Sequence, residues 1–441
     1  MDLIRGLRID ADSRIAFVGS GGKTAALFET ARAYDQLIFL TTTTHLGVNQ
    51  LGNADQVFQI DKAADLPSPK RPFQGRVILF VASSREENRV GGLPPRALGM
   101  LVKLAGEYDC PLLIEADGAR QLPLKAPADH EPALPDFVNG VVVVAGLSGL
   151  GKPLTGEWVH RPERFAALSG LAPGSRIKSE HLIKVLTSTR GGLKNVPEDA
   201  RVSLILNQID AFPNWRGLKR YRDQLLASYH AVLFTMLHDQ LLLEVHQRIA
   251  GLVLAAGGSS RLGKPKQFLT WKGEPFIKRV ARIALEARLD PVHVITGEEH
   301  SRAQQVLHDL DAGIHFNPDW QEGQSSSVQV GVKLLSDEVG GVVFLLVDQP
   351  QIPPALVQSL LAAHARRLSD ITSARTAGQR TNPVLFDRSL FAELLAVEGD
   401  VGGRVLFDHH QVEYVDWEDE RVRLDVDTPG DYRALLDAYQ L

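Results

Sequence analysis

The sequence predicts an α/β protein of two successive domains, each organised around a largely parallel sheet. Three observations predict it. The chain has 441 residues, roughly three times the length of a typical single domain. Short apolar runs recur with helical patterns between them, the rhythm of strands buried on both faces and covered by helices. That rhythm starts twice, once at RIAFVG and again at IAGLVLAAGG.

From the first start, the strands read RIAFVG, LIFLTTTT, RVILFVA, PLLIEADG, GVVVVAG and VSLILNQID, with TAALFETARAY helical between the first two. In the threonine run, Thr41 fits a β-branched strand, whereas Thr44 stays open between strand and phosphate contact. Residues 236–248, MLHDQLLLEVHQR, have helical apolar spacing, so a helix is expected there to join the domains. The domains are accordingly placed at 1–240 and 249–441. The second series reads IAGLVLAAGG, VHVITG, GIHFN and GVVFLLVDQP, with KRVARIALEAR and ALVQSLLAAHARRL as helices.

Composition narrows the function classes. With 44% hydrophobic and 23% charged residues, the chain reads as soluble and globular rather than disordered. A net charge of -5 gives no basic field for nucleic acid, so the expected partners are small molecules held by local cations. The single cysteine, Cys110, excludes an intrachain disulfide and a multi-cysteine metal cluster, and the expected compartment is the reducing cytoplasm. The start, MDLIRGLRIDADSR, is broken by charges, and no apolar run reaches about 18 residues, so neither an export signal nor a membrane span is expected.

The first chemical motif is GSGGKT, between a strand and a helix. Gly19, Gly21 and Gly22 let backbone amides curl around phosphate, Lys23 brings a positive charge, and the Thr24 hydroxyl is placed to ligate magnesium. The spacing G-x-x-G-K-T is two residues shorter than that of the common phosphate loop. PLLIEADG ends in Glu115 and Asp117, of which Asp117 is the candidate metal ligand. NQID follows another apolar strand. Asn207 and Asp210 are placed as in the N-x-x-D element that reads a guanine base, with Gln208 where a lysine is usual. Together these predict a P-loop-like domain that binds ATP or GTP.

The second motif, LVLAAGGSSRLGKPKQFL, is the more specific. Ala256, Gly257, Gly258 and Ser259 form a loop whose amides are suited to surround a nucleoside triphosphate, and Arg261 and Lys266 follow at a spacing that lets both reach its phosphates. Asp348 ends the strand GVVFLLVDQP at the sheet edge where ligands sit in such folds. A magnesium ion needs only one or two carboxylates beside triphosphate oxygens, and Asp425 or Asp427 in LDVDTPGDY supplies the second.

GSGGKT, TTTTHL, EADGARQLPLKAP, VHRPERF and NQID together resemble the YqeC family, accessory proteins linked to selenium-dependent molybdenum hydroxylases. That resemblance spans roughly residues 1–235 and makes Lys125, His160 and Arg161 candidate anion or substrate contacts. It also implies a molybdenum hydroxylase apoenzyme as partner. Residues 249–441 resemble the molybdenum cofactor nucleotidyltransferases, through LAAGGSSRLGKPK, VITG, NPDWQEGQSSSVQVG, VDQP, NPVLF, EGDVGGR and DVDTPGDY, and within them the cytidylyltransferase (MocA-like) branch. This resemblance implies a Rossmann-like, GT-A-like fold. Lys266 and Arg261 would bind triphosphate, Asp348 and Asp427 magnesium, while 325–327 (with Ser327) and Asn382 with Pro383 would line the pterin side. The sequence departs from the pattern at Val347, where many relatives have Gly, and at Asn382, where many cytidylyl members have His. The Ala-Ala-Gly start favours cytosine.

The function expected is transfer of CMP from CTP to the molybdopterin-bound molybdenum cofactor, with Lys266, Arg261 and Asp348 as catalytic groups and release of pyrophosphate. Two alternatives stand beside it. One is nucleotidyl transfer to a sugar or polyol phosphate, and the other is a non-catalytic, nucleotide-switched carrier of the cofactor.

Overall fold

A computed structural model describes residues 3–68, 72–84, 86, 88–258, 262–399 and 401–440. The chain divides into two compact units, Met1–His246 and Gln247–Leu441.

In the first unit the labelled elements are β1 (Arg14–Gly19), α1 (Lys23–Ala33), β2 (Ile38–Thr42), β3 (Gln56–Gln59), β4 (Val77–Val81), α2 (Pro95–Glu107), β5 (Leu112–Glu115), β6 (Gly140–Gly146), β7 (Arg201–Asn207) and β8 (Ala231–Met236). The sheet order is β8-β7-β6-β1-β5-β2-β4-β3, and every one of these pairs is parallel. β2, β4, β5 and β6 are buried along their whole length, so their apolar runs lack polar alternation. An aromatic cluster packs on one side. Phe39 and Phe80 meet edge to face at 5.0 Å, and Phe58 stacks on Phe80 at 5.4 Å, pairs worth about 0.5–1.5 kcal/mol each beyond area burial. Because β1 lies between β5 and β6, the loops leaving these three strands converge at one edge, the place where open α/β sheets hold ligands.

Residues 236–248 are not the helix that their spacing suggests. β8 ends at Met236, a single 3-10 turn follows, and the strand β9 runs over Leu241–Ala255, across the division between the units. Leu241, Leu242, Leu243 and Val245 fit either period, and helix propensity is too weak a preference to outweigh the pairing offered by neighbouring strands.

The second unit continues with α3 (Phe276–Glu286), β10 (Val292–Thr296), β11 (Gly313–Phe316), α4 (Gln324–Lys333), β12 (Val339–Leu346), α5 (Pro354–Arg367), β13 (Ile371–Thr376), β14 (Gln379–Asp387) and β15 (Val412–Asp416). The order is β11-β10-β9-β12-β14-β13-β15. β11, β10, β9 and β12 are parallel, while β14 is antiparallel to both β12 and β13. Along β9, Ile249, Val253 and Ala255 enter one core, whereas Ala250, Leu252 and Leu254 enter the other; a strand's two-residue period thus covers both faces. This is a mixed α/β sheet, parallel on one side of β12 and antiparallel on the other. Its switch point lies at β9, between β10 and β12. No helix among the described residues is long and apolar enough to cross a membrane.

Candidate functional site

The phosphate-loop motif of the first unit forms a tight turn from β1 into α1. Gly21 and Gly22 have φ of +73° and +127°, conformations that disfavour a side chain. A Cβ on Gly21 would also strike the Gly146 backbone, and one on Gly22 the Asn207 carboxamide. The glycines therefore serve close packing as much as any ligand. Three of the loop amides are already bonded: Gly19 N–H donates to Asp117 Oδ2 at 3.0 Å, Ser20 N–H to the Val144 carbonyl at 2.8 Å, and Gly21 N–H to the Leu122 carbonyl at 3.1 Å.

Lys23 is buried and folds back on this loop. Its Nζ donates to the Gly19 carbonyl at 2.9 Å and lies 3.2 Å from Asp117 Oδ1. Lys125 approaches the same carboxylate from the other side, with Nζ 2.7 Å from Asp117 Oδ2, 2.7 Å from the Gly118 carbonyl and 2.8 Å from Glu131 Oε2. Arg161 grips Glu131 with two bonds of 2.8 Å. Burial pushes the Glu131 carboxyl up, but the hydrogen bonds and charges of Arg161 and Lys125 outweigh it and hold it down at about 2. Burial, then the nearby Arg161, Lys125 and Arg120 charges, lower the His160 pKa from its ordinary value.

Asp117 is thus enclosed by two ammonium groups and an amide, whereas Glu115 receives the Thr24 hydroxyl at 2.8 Å. Burial raises the Glu115 carboxyl above its ordinary range, opposed by the Lys23 charge and the Thr24 hydrogen bond. Asn207 is buried and ties three elements together. Its Nδ2 donates to the Gly21 carbonyl at 2.8 Å, and its Oδ1 accepts from Thr235 Oγ1 and Leu237 N–H. Asp210 is exposed on the turn that follows. Thr41 lies in β2 and Thr44 beyond it. Glu131, the partner of both Lys125 and Arg161, was not expected; an acid in a polar loop gives no periodic signal.

In the second unit, Ala256, Gly257 and Gly258 line a cleft of about 830 Å³ together with Lys266, Asp348 and Asp427. A Cβ on Gly258 would lie 2.9 Å from the Trp320 ring, which forms part of the same wall. Ser259 and Arg261 lie outside the described residues. Lys266 Nζ donates to Asp348 Oδ2 at 2.6 Å and to Asp427 Oδ1 at 3.0 Å. Burial works against the Lys266 ammonium, but the Asp348 charge and the bonds to both aspartates raise its pKa. Asp348 Oδ1 is buried and makes no hydrogen bond. Asp425 is exposed on the wall of a neighbouring chamber; partial desolvation, then the Asp348 charge, pushes its carboxyl up to about 6, although Gln349 donates to it at 2.6 Å.

Ser327 is buried on α4 and accepts from Asn317 Nδ2 at 3.0 Å, yet it also reaches the cleft wall. Asn382 lines the neighbouring chamber, of about 430 Å³, which shares Gln324 and Leu346 with the cleft. The structure therefore brings Lys266, Asp348 and Asp427 together at one cleft and sets Asn382 in the space beside it.

Two family models match the chain: "YqeC protein" over residues 15–163 and "MobA-like NTP transferase domain" over residues 251–414. Protein YqeC of Escherichia coli (strain K12) is 35% identical over 207 residues, covering 45% of this chain and 77% of that protein. The purine catabolism protein PucB of Bacillus subtilis (strain 168) is 32% identical over 195 residues, covering 42% of this chain and 94% of that protein. The chain belongs to the YqeC family and to the MobA-like NTP transferase family. A solved structure of Rv0371c from Mycobacterium tuberculosis H37Rv is 31% identical, with 43% of this chain and 98% of that chain covered and a TM-score of 0.40. The glycine loop at 256–258, Lys266 and Asp348 all fall within the stretch matched by the MobA-like model, and this part of the protein is a nucleotidyltransferase domain. GSGGKT, Asp117, Lys125 and Arg161 all fall within the stretch matched by the YqeC model.

Proposed function

We propose that the MobA-like unit transfers CMP from CTP to the phosphate of the molybdopterin-bound molybdenum cofactor, and that the YqeC unit is an ATP- or GTP-binding accessory for maturing a molybdenum hydroxylase apoenzyme. The observation that carries the reading is the Lys266–Asp348–Asp427 cluster on the floor of a cleft that opens beside a second chamber lined by Asn382. One space suits a triphosphate and the other an acceptor. An acceptor phosphate oxygen attacks the α-phosphorus in line, the bond to the bridging α,β-oxygen breaks, and pyrophosphate leaves with the electron pair. Lys266, with Arg261 from the same motif, meets the charge that grows on the departing phosphates. The ammonium must first loosen from its aspartates, and the incoming triphosphate supplies the competing charge.

The residues fit a magnesium ion. The unbonded, buried Oδ1 of Asp348 is the kind of hard donor that such a cation takes, and Asp427 supplies a second. Among the described residues no three His, Cys, Asp or Glu side chains form a ready metal cage, so triphosphate oxygens would complete the shell. Magnesium, when bound, neutralises triphosphate charge. In the first unit the residues for a cation are Thr24 with an acid from the end of β5, and Glu115 is better placed than Asp117, whose oxygens are held by Lys23, Lys125 and Gly19.

The relatives' names support the class of acceptor. A probable molybdenum cofactor guanylyltransferase of Bacillus cereus (strain ATCC 10987 / NRS 248) is 34% identical over 58 residues. A second reading, transfer to a sugar-acid acceptor, is favoured by 31% identity over 159 residues to a 3-deoxy-manno-octulosonate cytidylyltransferase of Chromohalobacter salexigens. Incubating the purified chain with molybdenum cofactor and each of the four NTPs tests the proposal. CTP is expected to give a cytosine dinucleotide and equimolar pyrophosphate. A guanine dinucleotide would overturn the base assignment, and no pyrophosphate from any NTP would favour a carrier.

A further inference from the structure

We propose that His293 and His315 form a chelating site for a divalent transition metal of the zinc, copper or nickel class, at the outer edge of the second unit's sheet. The proposal is independent of any reading of the nucleotide cleft, whose lining contains neither histidine. Among the described residues, β11 pairs with β10 alone, in parallel. Gly313 of β11 lies opposite His293, and His315 follows two residues later, so the two-residue period of a strand puts both imidazoles on one face. There they meet. His315 Nε2 lies 3.0 Å from His293 Nδ1, with the ring centroids 4.8 Å apart and the planes at 76°.

A Cβ on Gly313 would lie 2.6 Å from His315 Nε2 and 2.7 Å from His293 Nδ1, so the glycine is what lets both nitrogens converge over the strand. A cation about 2.0–2.1 Å from each of two imidazole nitrogens holds them about 2.9–3.4 Å apart at right or tetrahedral angles, and the observed separation already fits a shared ion. Both rings are half-buried, so water can reach the pair and complete the shell. Among the described residues, the charges that act on these rings belong to other histidines, with no carboxylate among them. A donor pair of nitrogen alone selects zinc, copper or nickel over magnesium or calcium, which take oxygen. On binding, the ring that donates the hydrogen bond passes its proton, through solvent, to its far nitrogen, and each facing lone pair goes to the metal. The ion would tie the edge strand to β10. β11 leads directly into Asn317, whose N–H donates to the Thr296 carbonyl at 2.8 Å, so the tie braces the chain just before Trp320 of the cleft wall. Neither histidine stood out in the sequence, because 22 residues separate them.

Copper(II) EPR of the untagged full chain with one equivalent of metal tests the site. The spectrum should show coupling to two imidazole nitrogens, a reading that needs no variant; coupling to one nitrogen or to none would overturn the site. Zinc titration by calorimetry, in excess magnesium to fill oxygen sites, then compares variants whose fold is checked by circular dichroism. His293→Ala and His315→Ala should each weaken zinc binding at least about tenfold, a margin of about 1.4 kcal/mol. Gly313→Ala keeps both donors and should weaken zinc by a similar factor, because its Cβ fills the space that the nitrogens share. His300→Ala, outside the pair, should bind zinc as the parent does. Parent-like affinity in either variant of the pair, or in folded Gly313→Ala, would overturn the proposal and leave the two rings joined by a hydrogen bond alone. A tenfold loss in His300→Ala would overturn the assignment of the donors.

Discussion

The two units carry the same ingredients at the edges of their sheets, a glycine-rich loop, a lysine and a strand-end acid, yet they use them differently. In the first unit the loop amides of Gly19, Ser20 and Gly21 are bonded to protein acceptors, and Lys23 is turned onto the Gly19 carbonyl and Asp117. In the second, Lys266 faces a cleft of about 830 Å³ and holds two aspartates on its wall. A motif specifies which groups are near one another. Whether they are committed to the fold or face a ligand depends on whether they are enclosed by protein or line a cleft.

The largest expected effect separates a structural lysine from a functional one. Lys125 is buried against Asp117 and Glu131, with only 2% of its side chain exposed. Replacing it by Met keeps the stem but leaves two acids short of a partner, so Lys125→Met should cost the first unit about 3–5 kcal/mol. Urea denaturation followed by circular dichroism reads this directly, and a loss below about 1 kcal/mol would mean that the network is not structural. The equivalent change at the half-buried Lys266 should alter stability little.

A smaller effect distinguishes the two acids at the end of β5. With the second cleft disabled by Lys266→Ala, GTP or ATP affinity is measured with and without magnesium. Glu115→Gln should remove about tenfold of magnesium-dependent affinity, some 1.4 kcal/mol, whereas Asp117→Asn should act mainly on stability. Magnesium dependence lost only in Asp117→Asn would return the cation to Asp117. The smallest effect concerns Asp425. Its folded pKa of about 6 lies above the ordinary 3.8, so proton binding favours the folded state. That contribution is full below about pH 4 and is lost as pH rises through 6. Asp425→Asn should therefore gain thermal stability relative to the parent between pH 4 and 7. The gain should be small because cleft water screens the charge. A constant difference across this range would assign the raised pKa elsewhere.

Much of this was legible in the sequence, for reasons that can be traced to particular residues. The runs that became β1, β5, β6, β7 and β12 are buried on both faces, which forces a continuous apolar composition that stands out from its surroundings. The loops carrying Lys23 and Lys266 could be found because their glycines and lysines lie within a few residues of each other in the chain. β13, ITSART, was missed because Thr372, Ser373 and Thr376 are polar residues buried in the sheet, and no apolar period marks them. The strand within 241–248 was mistaken for helix because leucine runs fit both periods. At the sites, contacts between distant residues were invisible: Glu131 meeting Lys125 and Arg161, Asn207 holding the Gly21 carbonyl, and Asp425 facing Asp348 all depend on the completed sheet edge.

The contrast between a lysine enclosed in the fold and one on a cleft wall is tested most directly by pyrophosphate release from CTP and molybdenum cofactor, measured on the full chain with one lysine removed at a time. Lys266→Ala should lower turnover by more than about 100-fold, the scale of losing a charge partner in the transition state, while Lys23→Ala retains turnover in whatever fraction of the protein stays folded. The reverse result, with activity lost in folded Lys23→Ala and kept in Lys266→Ala, would place the chemistry in the first unit and contradict this account.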